Sequence, residues 1–265
     1  MTDASDQVQW DVDTSQGIAT LWLNRPEQLN ALTVTLIDVA CAKVAEWDGD
    51  PAIRCIVLRG RGRAFCAGDD LKGMGRTEDD LARLDFVRRR ESGFERLFKV
   101  LYDSHTPVLA AIHGFTVGAG ALIALACDIR IANEDTKMGF VFVKRGITGG
   151  TTIVARYVGL GKATELLLTG EPVDAQEAER LGLVNYAVSS ASFEDTVSNW
   201  ARKLAAGPTR VLGYAKYAMH KGLYQDIETA FALNSAVANY SQGTKDAEEG
   251  RIAFREKRAP AFTGR

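Results

Sequence analysis

The period of the apolar residues changes along the chain. Polar and apolar side chains alternate in IATLWLN, residues 18–24, and with the run at 8–12 this predicts a β-hairpin turning over residues 14–17. Arg25-Pro26 stops the second strand. From Thr33, placed as an N-cap, the spacing becomes helical as far as about Trp47. Val34, Ile37, Val44 and Trp47 form the apolar side, and Gly49 and Pro51 break the helix. Runs without a polar residue at 55–58 and 108–112 have the length of buried strands.

A capping-box-like TEDD at 77–80 opens a long helix to about Tyr102, with Leu81, Leu84, Phe94, Leu97 and Leu101 inside and Pro107 beyond its end. Short strands are expected at 129–132, 138–143 and 184–188. Short helices are expected at 162–169 and 175–181, the second capped by Asp174. From residue 192 to 255 the pattern is helical, broken at Gly207-Pro208 and near Gly243. The shift from mixed to all-helical patterning places one boundary near residue 200, giving an α/β region at 1–200 and a helical region at 201–265.

The run at 108–112 feeds a glycine-spaced turn, Gly114, Gly118 and Gly120, and then an apolar segment at 121–127. Strand, glycine turn and helix start together expose backbone N–H groups that can hold an anion or a developing oxyanion. Alone, this stretch reads as a tight-packing turn of an α/β core. A second stretch, RAFCAGDDLKGM at 63–74, also brings small residues (Ala64, Ala67, Gly68) to a strand-to-helix junction. Two such turns, each offering one N–H, can make an oxyanion hole.

Composition narrows the choice of partners. With 265 residues, 46% hydrophobic and 25% charged, the chain suits a globular enzyme, and a net charge of −2 gives no call for nucleic acid. Arg88–Arg90 precede Glu91 and read as a solvated helix face. The four cysteines (Cys41, Cys55, Cys66, Cys127) have no metal-ligand spacing and read as reduced core thiols. The three histidines (His105, His113, His220) lack partners at ligand spacing, so no metal site is expected. The polar, acidic N-terminus lacks a signal peptide pattern, and no apolar run approaches a membrane span; a cytoplasmic protein is expected.

Five segments in order, NRPEQLNAL (24–32), AFCAGDDLKGM (64–74), AAIHGFTVGAG (110–120), ACDIRIA (126–132) and FREKRAPAF (254–262), resemble the enoyl-CoA hydratase/isomerase (crotonase) family over nearly the whole chain. The resemblance implies a spiral of ββα units with a C-terminal helical oligomerisation region, assembled as a homotrimer or a dimer of trimers. It implies an acyl-CoA substrate, with coenzyme A entering as part of that substrate and no separate cofactor. The backbone N–H groups of Asp69 and Ala119 would form the oxyanion hole, where the family commonly has alanine or glycine at the first position and glycine at the second. Substrate-binding positions would be Arg25 (near the adenosine end), Ala64, Ala67, Gly68, Asp70, Leu71, Lys72 (near the phosphates), Gly114, Leu122 and Phe142. Asp70 can also cap the helix that follows it. His113 reads as a hydrogen-bonded structural residue.

Hydratases of the family carry two glutamates that activate water and supply a proton. Their positions here are Leu122 and Phe142, and the GITGGTT loop at 146–152 is about three residues shorter than the usual form. Hydration by the two-glutamate route is therefore not expected. Asp69 is the candidate acid/base, and Glu91 and Glu95 are expected to form surface salt bridges. Lys144, Arg145, Thr148 and Thr151 could line the pocket, and Leu122, Phe140 and Phe142 suggest an apolar acyl chamber. Three outcomes stay open: an enolate-stabilising lyase or isomerase, a thioester hydrolase of the same fold, and a non-catalytic acyl-CoA-binding protein.

Overall fold

The computed structural model of the chain describes residues 4–70 and 93–265. The expected calls at Leu71, Lys72, Thr77, Leu81, Leu84, Arg88–Arg90 and Glu91 lie outside the described residues.

Two sheets carry the mixed part of the chain. The larger has six strands: β1 (Val8–Asp13), β2 (Ile18–Leu23), β3 (Cys55–Gly60), β5 (Val108–Ile112), β7 (Ile129–Asn133) and β10 (Tyr186–Val188), in that spatial order. β1 and β2 form the antiparallel hairpin, and every later pairing in this sheet is parallel. The smaller sheet has four strands, β4 (Ala64–Cys66), β6 (Phe115–Val117), β8 (Lys137–Gly139) and β9 (Val173–Asp174).

The two uninterrupted apolar runs are central strands because both of their faces are covered. Ile56, Leu58, Val108, Ala110 and Ile112 point into one core, with α1 (Val34–Gly49), α2 (Phe94–Asp103) and α3 (Ala119–Ala126). Cys55, Val57, Leu109 and Ala111 point the other way, onto Phe193, Val197, Ala201 and Ala205 of α6 (Phe193–Ala205). A parallel strand packed on both sides has no polar face to show. The four cysteines are buried and unpaired.

Helix α1 starts as expected, the Thr33 side chain accepting from the Leu36 N–H at 3.1 Å. Val34 is exposed instead of apolar-facing, because it sits in the first turn and Leu36 takes the inner place. The expected strand at 138–143 ends at Gly139. A 3-10 helix, Val141–Arg145, follows, closed by left-handed Gly146, whose N–H turns back onto Phe142 and Val143 carbonyls. The expected helix at 162–169 is the second half of α4 (Thr151–Thr169), bent at Gly159. Helix α5 (Ala175–Arg180) is capped by Asp174, which accepts from the Glu177 N–H at 2.9 Å.

The C-terminal helices are α7 (Thr209–Gly222), α8 (Ile227–Gln242) and α9 (Lys245–Glu256). The break between α7 and α8 carries no proline; Asp226 caps α8 through the Thr229 N–H. Residue 200, where the patterning shifts, falls inside α6, whose inner face belongs to the sheet core. Lys216 ties α7 to that sheet through a 2.7 Å ion pair with Asp128, both largely buried.

Candidate active site

Three loops leave neighbouring strands at one end of the smaller sheet. β4, β6 and β8 are adjacent and parallel, so the segments that follow them, at 67–69, 118–119 and 140–147, emerge side by side. They enclose a cavity of about 220 Å³. The first loop lends it Ala67, Gly68 and Asp69, the second Gly118 and Ala119, and the third Val141, Phe142, Arg145 and Ile147.

The first two loops are in contact. Gly68 has φ of 92°, and a Cβ there would stand 3.0 Å from the Val117 carbonyl oxygen and 3.2 Å from the Ala119 nitrogen. Gly120 presses on β4 still harder, where a Cβ would reach 2.3 Å from the Cys66 carbonyl oxygen. Side chains at either position would drive the loops apart. Ala119 opens α3, so its N–H has no partner within the helix. The Asp69 N–H also donates to no acceptor among the described residues. Its neighbours are engaged: the Leu32 N–H donates to the Gly68 carbonyl at 2.8 Å, and the Asp70 N–H to the Leu32 carbonyl at 2.9 Å. Two unspent N–H groups thus border one cavity on loops held in register, an arrangement suited to an oxyanion.

Asp69 and Arg145 are the ionisable side chains that line this cavity among the described residues. Burial pushes the Asp69 carboxyl up to about 6, with the negative charge of Glu95 on α2 adding to it. Cys66 is close by in the chain, but burial pushes its thiol up to about 12, too high for a nucleophile.

The enoyl-CoA hydratase/isomerase family model matches residues 13–265. A protein of Rhodobacter capsulatus named a probable enoyl-CoA hydratase is 38% identical over 256 residues, covering 96% of this chain and 97% of its own. The 1,2-epoxyphenylacetyl-CoA isomerase of Escherichia coli is 34% identical over 94% of this chain and 96% of its own. The solved structure of an enoyl-CoA hydratase from Mycobacterium smegmatis superposes with a TM-score of 0.88, at 30% identity, over 96% of this chain and 98% of that one. The chain belongs to the enoyl-CoA hydratase/isomerase family.

Leu122 and Phe142, the positions where the resemblance implies glutamates, are both packed against the 146–150 loop. A Cβ on Gly150 would lie 2.6 Å from Leu122 Cδ2, and one on Gly149 would lie 2.8 Å from Phe142 Cε1. The short 146–150 loop therefore lies directly on the two apolar side chains. Leu122 is wholly buried and does not line the cavity; Phe142 does. Phe140 is a core residue, so of the expected apolar chamber Phe142 alone reaches the site.

The other described residues expected at the site do not line the cavity. Arg25 pairs with Asp70 at 2.8 Å and donates to the Ala31 carbonyl at 2.6 Å. Ala64 lies within β4, its carbonyl accepting from Asn30. Gly114 turns β5 into β6, a strand absent from the sequence reading, and its N–H donates to Asp135 at 3.0 Å. The His113 ring bonds the Gly62 carbonyl at 2.8 Å, as a structural histidine. Lys144 pairs with Glu171 at 2.7 Å. Thr148 and Thr151 line a neighbouring cavity instead.

Asn30 has no assigned role in the sequence reading, yet it fixes the first loop. It is fully buried with φ of 57°, accepts from the Arg25 N–H at 2.8 Å and donates to the Arg61 and Ala64 carbonyls at 2.8 and 2.7 Å. Asparagine tolerates left-handed backbone, and its place in a turn after Pro26 is the one signal that could have marked it.

Proposed function

We propose that the protein isomerises an acyl-CoA thioester by enolate chemistry, with one carboxyl group doing the proton transfers. The thioester oxygen accepts from the Asp69 and Ala119 N–H groups. The Asp69 carboxylate takes a proton from C2 of a 3-enoyl thioester, charge moves onto the held oxygen, and the same carboxyl returns the proton at C4. The product is the conjugated 2-enoyl thioester, with no atom gained or lost. A carboxyl group titrating near 6 is ionised at neutral pH and still acidic enough, once protonated, to give its proton back.

The observation that carries this reading is the pairing of Asp69 with apolar packing at Leu122 and Phe142. Hydration needs a group to activate water as well as one to protonate carbon; isomerisation needs one group. The coenzyme A portion is part of the substrate, and no further cofactor enters the scheme.

The test is calorimetric binding of crotonyl-CoA and octanoyl-CoA with the enoyl absorbance followed in parallel, and then turnover of 3-hexenoyl-CoA. Binding, a steady crotonyl-CoA absorbance and a rise with 3-hexenoyl-CoA that D69N abolishes are expected. Rapid loss of crotonyl-CoA absorbance would restore the hydratase reading. Binding without any absorbance change would leave a non-catalytic acyl-CoA carrier, whereas a loss of crotonyl-CoA absorbance accompanied by release of free coenzyme A would mark a thioester hydrolase.

The assembly we propose is a homotrimer or a dimer of trimers. Helix α8 buries none of its residues in the single chain and exposes Ile227, Phe231 and Tyr240. Light scattering that returns a monomer would refute it.

A further inference from the structure

A second apolar cavity, of about 370 Å³, adjoins the first. It runs between the 141–149 segment and α4, with Val143, Ala155, Leu160 and Leu167 among its walls. Phe142 and Ile147 line both cavities. They form a partition, and its two halves are bonded: the Ile147 N–H donates to the Phe142 carbonyl at 3.3 Å. Gly149 stands against the Phe142 ring on the side of the second cavity, where a Cβ would lie 2.8 Å from the ring's Cε1.

We infer that Phe142 and Ile147 set the length of acyl chain the protein accepts, closing the first cavity to long chains and holding the second in reserve. This inference rests on the acyl-thioester reading of the first cavity and adds the substrate class, short acyl groups. The first cavity must hold the thioester carbonyl against Asp69 and Ala119, so its remaining volume suits a few carbons. Each methylene that finds apolar cover is worth roughly fourfold in affinity, and a chain forced against the packed wall loses about tenfold or more. Ile147 is 53% exposed, so it can be cut back with little damage to the core. Phe142 is held by its neighbours and is the poorer choice for a test.

Binding of butyryl-, hexanoyl- and decanoyl-CoA would be measured by calorimetry for the wild type, I147A and I147A/A155L. The wild type is expected to bind butyryl-CoA or hexanoyl-CoA at least about tenfold tighter than decanoyl-CoA. I147A opens the partition and should lower the decanoyl-to-butyryl Kd ratio by about tenfold or more. A155L refills the second cavity and should reverse that gain, which general loosening of the loop would not do. A wild type that prefers decanoyl-CoA, a ratio unmoved by I147A, or a gain that survives A155L would each overturn the partition. Failure of all three thioesters to bind the wild type would instead overturn the acyl-thioester reading itself.

Discussion

Gly150 and Leu122 touch so closely that no side chain fits between them: a Cβ on Gly150 would stand 2.6 Å from Leu122 Cδ2, with φ of 70° at the glycine. G150A therefore meets a left-handed backbone penalty of about 1–2 kcal/mol and a collision. Denaturant unfolding should show a total loss of about 2–3 kcal/mol. L122A/G150A should lose less than the two single losses added together, because cutting Leu122 back removes the collision. Strict additivity would mean that the short loop does not lie on Leu122.

Asp69 should make the fold less stable as the pH rises. Its carboxyl titrates near 3.8 in the unfolded chain and about 6 in the folded one, so between those values the folded state holds a proton the unfolded state has lost. The stabilisation is complete below pH 3.8 and is lost as the pH climbs through 6. D69N removes the titration. Relative to the wild type it should gain up to about 3 kcal/mol between pH 4 and pH 7, measured by urea unfolding, while losing the proposed isomerisation. A constant difference between the two proteins across that range would refute the shift.

Glu95 contributes to that shift without lining the cavity. E95Q removes the like charge but leaves the burial, which is the larger cause. The acid limb of the pH–rate profile should move below 6 yet remain above 3.8. An unmoved limb would show that burial acts alone.

Asn30 should be costly to replace. N30A strips one acceptor and two donors from buried backbone groups and leaves alanine with left-handed φ. A loss of about 3–4 kcal/mol is expected in thermal or denaturant unfolding, with N30G recovering the backbone part alone. Equal losses for the two variants would mean that the conformation at residue 30 carries no strain.

The buried pair of Lys216 and Asp128 gives the last prediction. K216M leaves Asp128 in the interior with the Val108 N–H as its remaining hydrogen-bond partner, and should cost about 3–5 kcal/mol. K216M/D128N should recover much of that loss, since no charge is then stranded. A double variant no better than the single one would assign the loss to packing of α7.

What the sequence disclosed follows from how local each signal is. The runs at 55–58 and 108–112 stand out because both faces of each strand are covered. Thr33 and Asp174 were legible as caps because a cap is read within three residues. Strand β6 was hidden, since three residues between Gly114 and Gly118 carry too little pattern to show as a strand. The gap between α7 and α8 was hidden for want of a proline. Asp69 and Ala119 could be marked by their motifs. The partition at Phe142 and Ile147 could not, because it depends on β8 pairing with β6 and on where α4 lies, neither of which is written locally.

All eight residues of α3 are buried, and none is ionisable. Its first amide borders the cavity while its remaining length is cast into the core, so the helix is a fixed mount. For directed evolution this divides the molecule unevenly. Libraries built into α3 should yield mostly misfolded chains, and new activities should arise instead from the exposed residues 143–148, left-handed Gly146 excepted. On the proposed reading, the fold keeps its reactive end constant and leaves the choice of substrate to a loop that can be rewritten.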